Sequence, residues 1–185
     1  QGLYGFDIMA SLREDKTGQS FPILTEELFW GDGGIGLSIM GTGLAAAGIA
    51  AAGTIEQVIE WVPQCYGTET EVKVAGFCSS EPEAGSDVAN MRTSAKYDEA
   101  ADEWIISGQK AWVTNGGIAD VLVVQAVVEP GLGSRGQAAF VLKSDTPGIA
   151  SPKKLRKHGL RASNTADIFF DDVRVPGSAL LGGKE

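Results

Sequence analysis

Histidine and cysteine are scarce in this chain of 185 residues, and their scarcity excludes several kinds of site. His158 is the only histidine, so histidine metal clusters and histidine-based triads have little to draw on. It follows Lys157 directly, as in a basic turn exposed to solvent. Cys65 and Cys78 lack the spacing of a metal site or a disulfide framework. We expect both to be buried thiols of a reducing compartment.

An excess of positive charge is also missing, because 15 Lys and Arg face 24 Asp and Glu, giving a net charge of -9. Nucleic acid binding requires clustered cations, so the sequence excludes it as a partner, and the acidity favours solubility. The longest apolar run, residues 43–53, is rich in Gly and Ala and is shorter than the ~20 residues of a membrane-crossing helix. We therefore expect no membrane span. No signal-peptide pattern opens the chain, so we expect a protein that is not secreted.

The pattern of apolar residues changes near residue 72. Before it, the spacing predicts a helix from Ser20 and a Gly/Ala-rich helix over residues 37–52. A third helix is predicted to begin after Thr54, which forms a capping box with Gln57, and to end at Pro63. The chain begins without Met and ends after a Gly-Gly pair. Both ends therefore look cut, and we expect a fragment.

After residue 72, short β-rich runs alternate with turn residues, which is typical of an all-β unit. Polar or glycine-rich turns are predicted at residues 98–102, 131–136 and 145–148. The sequence thus predicts an α+β fold, with a partial helical domain over residues 1–71 and an antiparallel β-barrel or sandwich over residues 72–185. The predicted strands cover residues 72–77, 93–97, 103–107, 110–113, 121–128, 138–142 and 166–173.

Three segments carry groups that suit a ligand. The first runs from Phe77 to Asp87, where a strand ends in two hydroxyls, a Glu-Pro bend and a Gly-Ser-Asp turn. Hydroxyls and free N–H groups at a strand end suit a planar heterocycle with a polar edge. A stretch rich in Ser, Gly and Pro after a strand is also typical of an ordinary turn.

In the second segment, Lys-Ala-Trp-Val-Thr-Asn-Gly-Gly, strand alternation places Trp112 and Thr114 on one face. An aromatic plane and a hydroxyl can stack on a ring and bond its edge, although a core Trp beside a surface Thr fits equally well. The third segment, residues 156–176, reads as a loop followed by a strand. There Arg161 suits a structural ion pair with Asp167 or Asp171.

Taken together in this order, the three segments resemble the acyl-CoA dehydrogenase family over about residues 20–185. The resemblance implies an N-terminal helical domain, a middle β-domain and a C-terminal helical domain, the last of which this sequence does not include. It also implies an FAD cofactor and oxidation of an acyl-CoA thioester between its α and β carbons, with hydride transfer to flavin N5. The catalytic base is expected to be a Glu of the C-terminal domain, so no catalytic residue is assigned here, and Glu81 is not given that role.

The resemblance also implies which residues hold the cofactor and substrate. Ser86 is expected to touch the CoA arm as well as the flavin, and Ser134 or Arg135 to meet CoA. Two positions depart from the family: Ser80 replaces a common Thr but keeps its hydroxyl, and Glu83 replaces a common Gly. The residues expected around the flavin are Phe77, Ser79, Ser80, Gly85, Ser86, Trp112, Val113 and Thr114.

Three functions are open on these grounds. The first is a dehydrogenase, with electron-transfer flavoprotein or a similar acceptor as partner, a homotetrameric assembly, and a bacterial cytoplasmic or mitochondrial matrix location. The second is an acyl-CoA oxidase or flavin monooxygenase of the same fold, and the third is a non-catalytic paralogue. Gly41 and Gly43 in the second helix fit either a roomy pocket base or tight helix packing.

Overall fold

The computed structural model describes residues 4, 11, 14–151 and 153–183. Among the described residues, three helices with defined bounds come first, α1 (Ser20–Gly31), α2 (Gly33–Ala52) and α3 (Ile55–Tyr66). The predicted start of α1 is confirmed. The capping box is confirmed too, because the N–H of Gln57 donates to the Thr54 hydroxyl while Gln57 Oε1 accepts from the N–H of Thr54.

Two predicted helix boundaries are wrong. The second helix begins at Gly33 rather than at residue 37, because Asp32 Oδ1 caps it by accepting the N–H of Ile35 at 2.8 Å. The third helix continues past Pro63 to Tyr66. A proline lacks only its own N–H, and the next turn still closes when the N–H of Gly67 donates to the Pro63 carbonyl at 3.0 Å.

The length argument against a membrane span is also wrong. Helix α2 has 20 residues; an 18-residue stretch of it has a mean hydropathy of 1.7, and 28% of that stretch is buried. By length and composition alone it could cross a bilayer, and the core helix of a soluble protein passes the same test. Within the described residues it packs against α1, α3 and the first strand of the sheet.

One seven-stranded sheet follows, with strands in the order β1-β4-β2-β3-β7-β6 and β5 paired to the second edge of β4. The prediction of an antiparallel sheet is corrected, because β4 pairs in parallel with β1 and with the start of β2. The other pairings are antiparallel. The strands are β1 (Ala75–Cys78), β2 (Ser94–Asp98), β3 (Glu103–Thr114), β4 (Val121–Val127), β5 (Gln137–Lys143), β6 (Ile149–Ala150) and β7 (Thr165–Pro176).

The long strand β3 unites two predicted strands, and the short β6 was not predicted. The register between β3 and β7 shifts twice, between Ile106 and Gly108 and between Lys110 and Val113. Such shifts are β-bulges, which bend a strand and redirect its side chains. The second bulge lies at the end of β3 that carries the Trp-Val-Thr segment.

Buried side chains form two clusters on the two faces of β4. Leu122 and Val124 belong to the cluster inside the sheet, whereas Val121 and Val123 join the cluster that packs under α2 and α3. Both faces of β4 are covered, which explains its continuous apolar sequence. The two cysteines lie one in each cluster and are free, so their predicted burial is confirmed. Burial raises the pKa of both thiols to about 12.

Candidate functional site

A cavity of about 280 Å³ lies where α2 crosses the ends of β1 and β3. Its lining brings together five of the residues expected at a flavin, drawn from the first and second sequence segments. Two residues of α2 close it from the helical side. The lining residues are Gly41, Leu44, Phe77, Ser79, Ser80, Ala111, Trp112 and Thr114.

The bulge in β3 aims Trp112 at this cavity. Trp112 has a φ of +56° and is 55% exposed, which is unusual for so large a side chain. Its N–H donates to Asp167 Oδ1 at 3.2 Å rather than to a backbone carbonyl of β7. The predicted placement of Trp112 and Thr114 on one side is therefore achieved through a bulge rather than through simple alternation.

The hydroxyls of Ser79, Ser80 and Thr114 are available to a ligand. In the described part of the chain, none of these three groups donates to or accepts from another group. Three unpartnered hydroxyls and an exposed indole in one cavity match the needs of a flat heterocycle with a polar edge.

The glycines of α2 let the helix approach the cavity closely. A Cβ added at Gly41 would lie 2.7 Å from Thr114 Cγ2, and one added at Gly48 would lie 2.9 Å from Phe77 Cε2. Contacts below 3.0 Å do not occur without displacement. Gly41 therefore agrees with both interpretations of the sequence, because it lines the cavity and also lets the helix pack tightly.

A buried ion pair stands behind the strand ends and was missed by sequence reasoning. The Lys110 side chain is 0% exposed, and its Nζ lies 2.8 Å from Glu81 Oε1 and 3.0 Å from the Ser79 carbonyl. Lys110 lies four residues after the buried Ile106, so strand alternation places both on the inward face of β3. A lysine at an inward-facing position of a strand could have indicated a buried partner of opposite charge.

The carboxylate of Glu81 is held by two further donors. The N–H groups of Arg92 and Thr93 donate to it at 2.6 and 3.0 Å. Burial alone would raise the pKa of Glu81, but the backbone N–H groups and the ammonium together hold it below its ordinary value. Burial lowers the pKa of Lys110, and the hydrogen bond with Glu81 opposes that shift. Both carboxylate oxygens of Glu81 thus have partners inside the protein.

The remaining residues expected at the flavin or substrate do not line this cavity. Val113 is 2% exposed and its side chain belongs to the sheet core. Gly85 and Ser86 lie in an exposed loop after the Glu-Pro bend. Ser134 is exposed on the turn Gly133–Gly136, and Gln137 Nε2 beside it donates to the carbonyl of Val88 at 2.8 Å. The loops of Ser86 and Ser134 are therefore neighbours.

The structure shows the exposure of Glu83 and the surroundings of Arg161. Glu83 is exposed and forms a salt bridge with Arg92 at 2.7 Å, so its charge faces solvent. The proposed ion pair of Arg161 is wrong, because Arg161 forms no salt bridge with any described residue. Asp167 instead accepts the N–H of Trp112.

The third segment is tied to the second by two asparagines. The N–H of Asn115 donates to the Asn164 carbonyl at 2.9 Å, and Asn164 Nδ2 donates to the Gly116 carbonyl at 2.6 Å. Asn115 Nδ2 also donates to the Ala75 carbonyl at 3.1 Å. These bonds fix the turn after Thr114 against β1 and so define one wall of the cavity.

Known proteins are similar to this chain over more than half of its length. Residues 76–173 match the family described as acyl-CoA dehydrogenase, middle domain. The chain is 38% identical over 136 residues to the mitochondrial long-chain specific acyl-CoA dehydrogenase of Rattus norvegicus, covering 72% of this chain and 30% of the relative.

Two solved structures illustrate the range of similar proteins. A glutaryl-CoA dehydrogenase from Mycobacterium smegmatis in complex with FADH2 is 36% identical with a TM-score of 0.75, over 87% of this chain and 39% of that one. The prolyl acyl carrier protein oxidase AnaB is 31% identical with a TM-score of 0.74, over 82% of this chain and 39% of that one. The chain thus spans about a third of the length of these relatives.

Proposed function

Because the chain belongs to the acyl-CoA dehydrogenase family, we propose that it forms the flavin-binding part of an FAD-dependent acyl-CoA dehydrogenase. The observation that carries this proposal is the cavity in which Trp112 meets three unpartnered hydroxyls. The similar glutaryl-CoA dehydrogenase, solved with FADH2, supports the choice of cofactor.

The residues of the cavity fit the isoalloxazine ring of FAD. The indole of Trp112 offers a flat apolar face, and the hydroxyls of Ser80 and Thr114 offer donors and acceptors at its rim. The aromatic ring of Phe77 and the close helix α2 would exclude water from the opposite side. When bound, the flavin supplies hydride acceptance, which no side chain of this segment can perform.

Substrate contacts are proposed for the two neighbouring loops. Ser86 and Ser134 both stand exposed on adjacent turns, at the rim of the sheet rather than in the cavity. This position suits the CoA arm of an acyl-CoA, because hydroxyls and free N–H groups bond phosphate and amide oxygens.

The proposal also covers domains and partners. We place the domain boundary at residue 72, between α3 and β1. We propose that the complete protein is a homotetramer and that electron-transfer flavoprotein accepts its electrons.

The proposal is tested by mixing the complete gene product, purified with FAD, with a panel of acyl-CoA thioesters in the absence of oxygen. Bleaching of the visible flavin absorption by at least one thioester is expected. A flavin spectrum unchanged by short, medium, long and branched acyl-CoA substrates would overturn the dehydrogenase assignment, and a protein that binds no FAD would overturn the cofactor assignment as well.

A second candidate is an oxidase that passes electrons to oxygen. The observation favouring it is the likeness to the prolyl acyl carrier protein oxidase, which covers the same part of the chain. The two functions differ in the fate of the electrons. Aerobic turnover that releases hydrogen peroxide in proportion to product would support the oxidase, whereas turnover that requires an added electron acceptor would support the dehydrogenase.

A further inference from the structure

The end of β1 is fastened to β3 by two successive carbonyl groups. Lys110 Nζ donates to the Ser79 carbonyl at 3.0 Å, and the N–H of Ala111 donates to the Ser80 carbonyl at 2.8 Å. Regular pairing of β1 ends at Cys78, so these two bonds act just beyond the ladder. Both serines line the cavity, whereas Lys110 does not.

The geometry of the peptide bond gives this attachment a direction. No peptide bond in the described residues is cis, so the N–H of Ser80 points opposite to the carbonyl of Ser79. The Ser79 carbonyl is turned toward the buried Lys110 ammonium. The N–H of Ser80 is therefore turned away from the buried ammonium.

We propose that the Glu81–Lys110 ion pair is a positioning device for the flavin, which fixes the Ser79–Ser80 peptide so that the N–H of Ser80 serves the ring edge. Glu81 holds the ammonium in place and is itself held by the N–H groups of Arg92 and Thr93. Both side chains are buried, and neither lines the cavity. This inference rests on the proposed flavin function and adds residues to it that line no part of the cavity.

A purely structural role makes a different prediction from a positioning role. Removing one member of a buried pair leaves an uncompensated charge, whereas replacing both members by neutral groups often leaves stability nearly unchanged. Stability should therefore recover in a neutral double variant. The attachment of the Ser79 carbonyl should not recover, because methionine has no donor.

The test compares Lys110→Met with the double variant Glu81→Gln/Lys110→Met in the complete gene product. The double variant is expected to regain most of the thermal midpoint that Lys110→Met loses. It should still bind FAD about tenfold more weakly than the wild type, a loss that corresponds to roughly one hydrogen bond. The absorption spectrum of its bound flavin should be shifted relative to that of the wild type, as in Lys110→Met. The amide oxygen introduced by Glu81→Gln still accepts from the N–H of Arg92 or Thr93, so that loop stays anchored.

Lys143→Met is the matched control. Lys143 is a half-buried lysine of β5 that contacts Gln64 and lies over the ring of Trp61, away from the cavity. Its loss should leave the FAD affinity and the spectrum unchanged. The proposal is overturned if the double variant binds FAD with wild-type affinity and spectrum, or if Lys110→Met does so. A wild-type protein that binds no FAD would overturn the proposed function, and this inference with it.

Discussion

Trp112 holds a left-handed backbone conformation in which large side chains are rare. Such a conformation costs of order 1–3 kcal/mol and persists only where the surroundings impose it. Here the surroundings are Asp167, which accepts its N–H, and the preceding Ala111, whose N–H is bonded to Ser80. The strained residue is also the one whose side chain is exposed toward the cavity. The strained backbone therefore lies at the cavity and not in the hydrophobic core.

At Thr114 the hydroxyl can be removed without loss of an internal bond. We expect Thr114→Val to leave the thermal midpoint of the FAD-free protein unchanged or slightly raised, because no described group bonds that hydroxyl. FAD binding should weaken about fivefold, the worth of about one hydrogen bond. Titration of FAD followed by flavin fluorescence measures the affinity.

The neighbouring Val113→Ala is the control, because its side chain lies in the sheet core. It should lower the thermal midpoint while changing the FAD affinity less than Thr114→Val does. If Val113→Ala weakened FAD binding more than Thr114→Val did, the assignment of the Thr114 hydroxyl to the ligand would be contradicted.

Glu81 should make stability depend on acid pH. Its pKa is lower in the folded than in the unfolded protein, so its stabilising contribution is complete above the ordinary Glu value of about 4.3. The contribution is lost as the pH falls through the folded value. We expect the difference in thermal midpoint between wild type and Glu81→Gln to shrink over that range.

Glu83→Gln provides the comparison, because it removes an exposed carboxylate two residues away. Its effect on the midpoint should be small at every pH, as for most exposed ion pairs. A difference between wild type and Glu81→Gln that stays constant from pH 7 to about pH 3 would show that Glu81 contributes no pH-dependent stability.

Among the elements, α2 is the one whose sequence is most constrained by the cavity. Gly41→Ala should favour the helix by up to about 1 kcal/mol, but the added methyl meets the stiff side chain of Thr114 at 2.7 Å. Overpacking costs about 1–3 kcal/mol, so we expect a lower thermal midpoint and weaker FAD binding. Thermal unfolding with and without FAD measures both.

Gly31→Ala is the matched variant, because an added Cβ at the end of α1 meets no atom within 4 Å. It should leave stability unchanged or raise it, with no effect on FAD binding. If Gly41→Ala behaved in the same way, the approach of α2 to Thr114 would impose no constraint on the site.

Local signals predicted the elements where the cause is local. The Thr54–Gln57 capping box was readable because both partners lie within one turn. The bulge at Trp112 was not readable, because it depends on Asp167, which is distant in sequence. The start of α2 was misplaced because Gly-rich residues 33–36 suggest a turn, whereas the Asp32 cap and the packing of Leu160 on Gly33 hold them in a helix.

At the scale of the whole molecule, the cavity exists only when helices and sheet are assembled. Its lining comes from α2, from the end of β1 and from the end of β3. The antiparallel hairpins β2–β3 and β4–β5 follow from their turns. The parallel pairing of β1 with β4 has no local signal, which is why the mixed sheet was not predicted.

Ligand binding should therefore stabilise the entire fold. A ligand that binds only the folded state adds about 2.7 kcal/mol when its concentration is 100 times its Kd. We expect FAD to raise the thermal midpoint of the complete protein, and to raise it less in Thr114→Val at the same concentration. Flavin-free buffer and a nucleotide without a flavin ring, such as ADP, are the controls. An equal shift with ADP would place the stabilisation outside this cavity.

The parallel pairing of β1 with β4 also governs the order of events during protein synthesis. Ala75 pairs with Val121, so β1 leaves the ribosome 46 residues (121 − 75) before its partner strand. At 5–20 residues per second, that interval is roughly 2–9 s. Helix α2 has already been made by then, and its glycine face accepts the ring of Phe77. We expect the nascent strand to pack on that helix first, so that one wall of the cavity forms before the sheet completes the other.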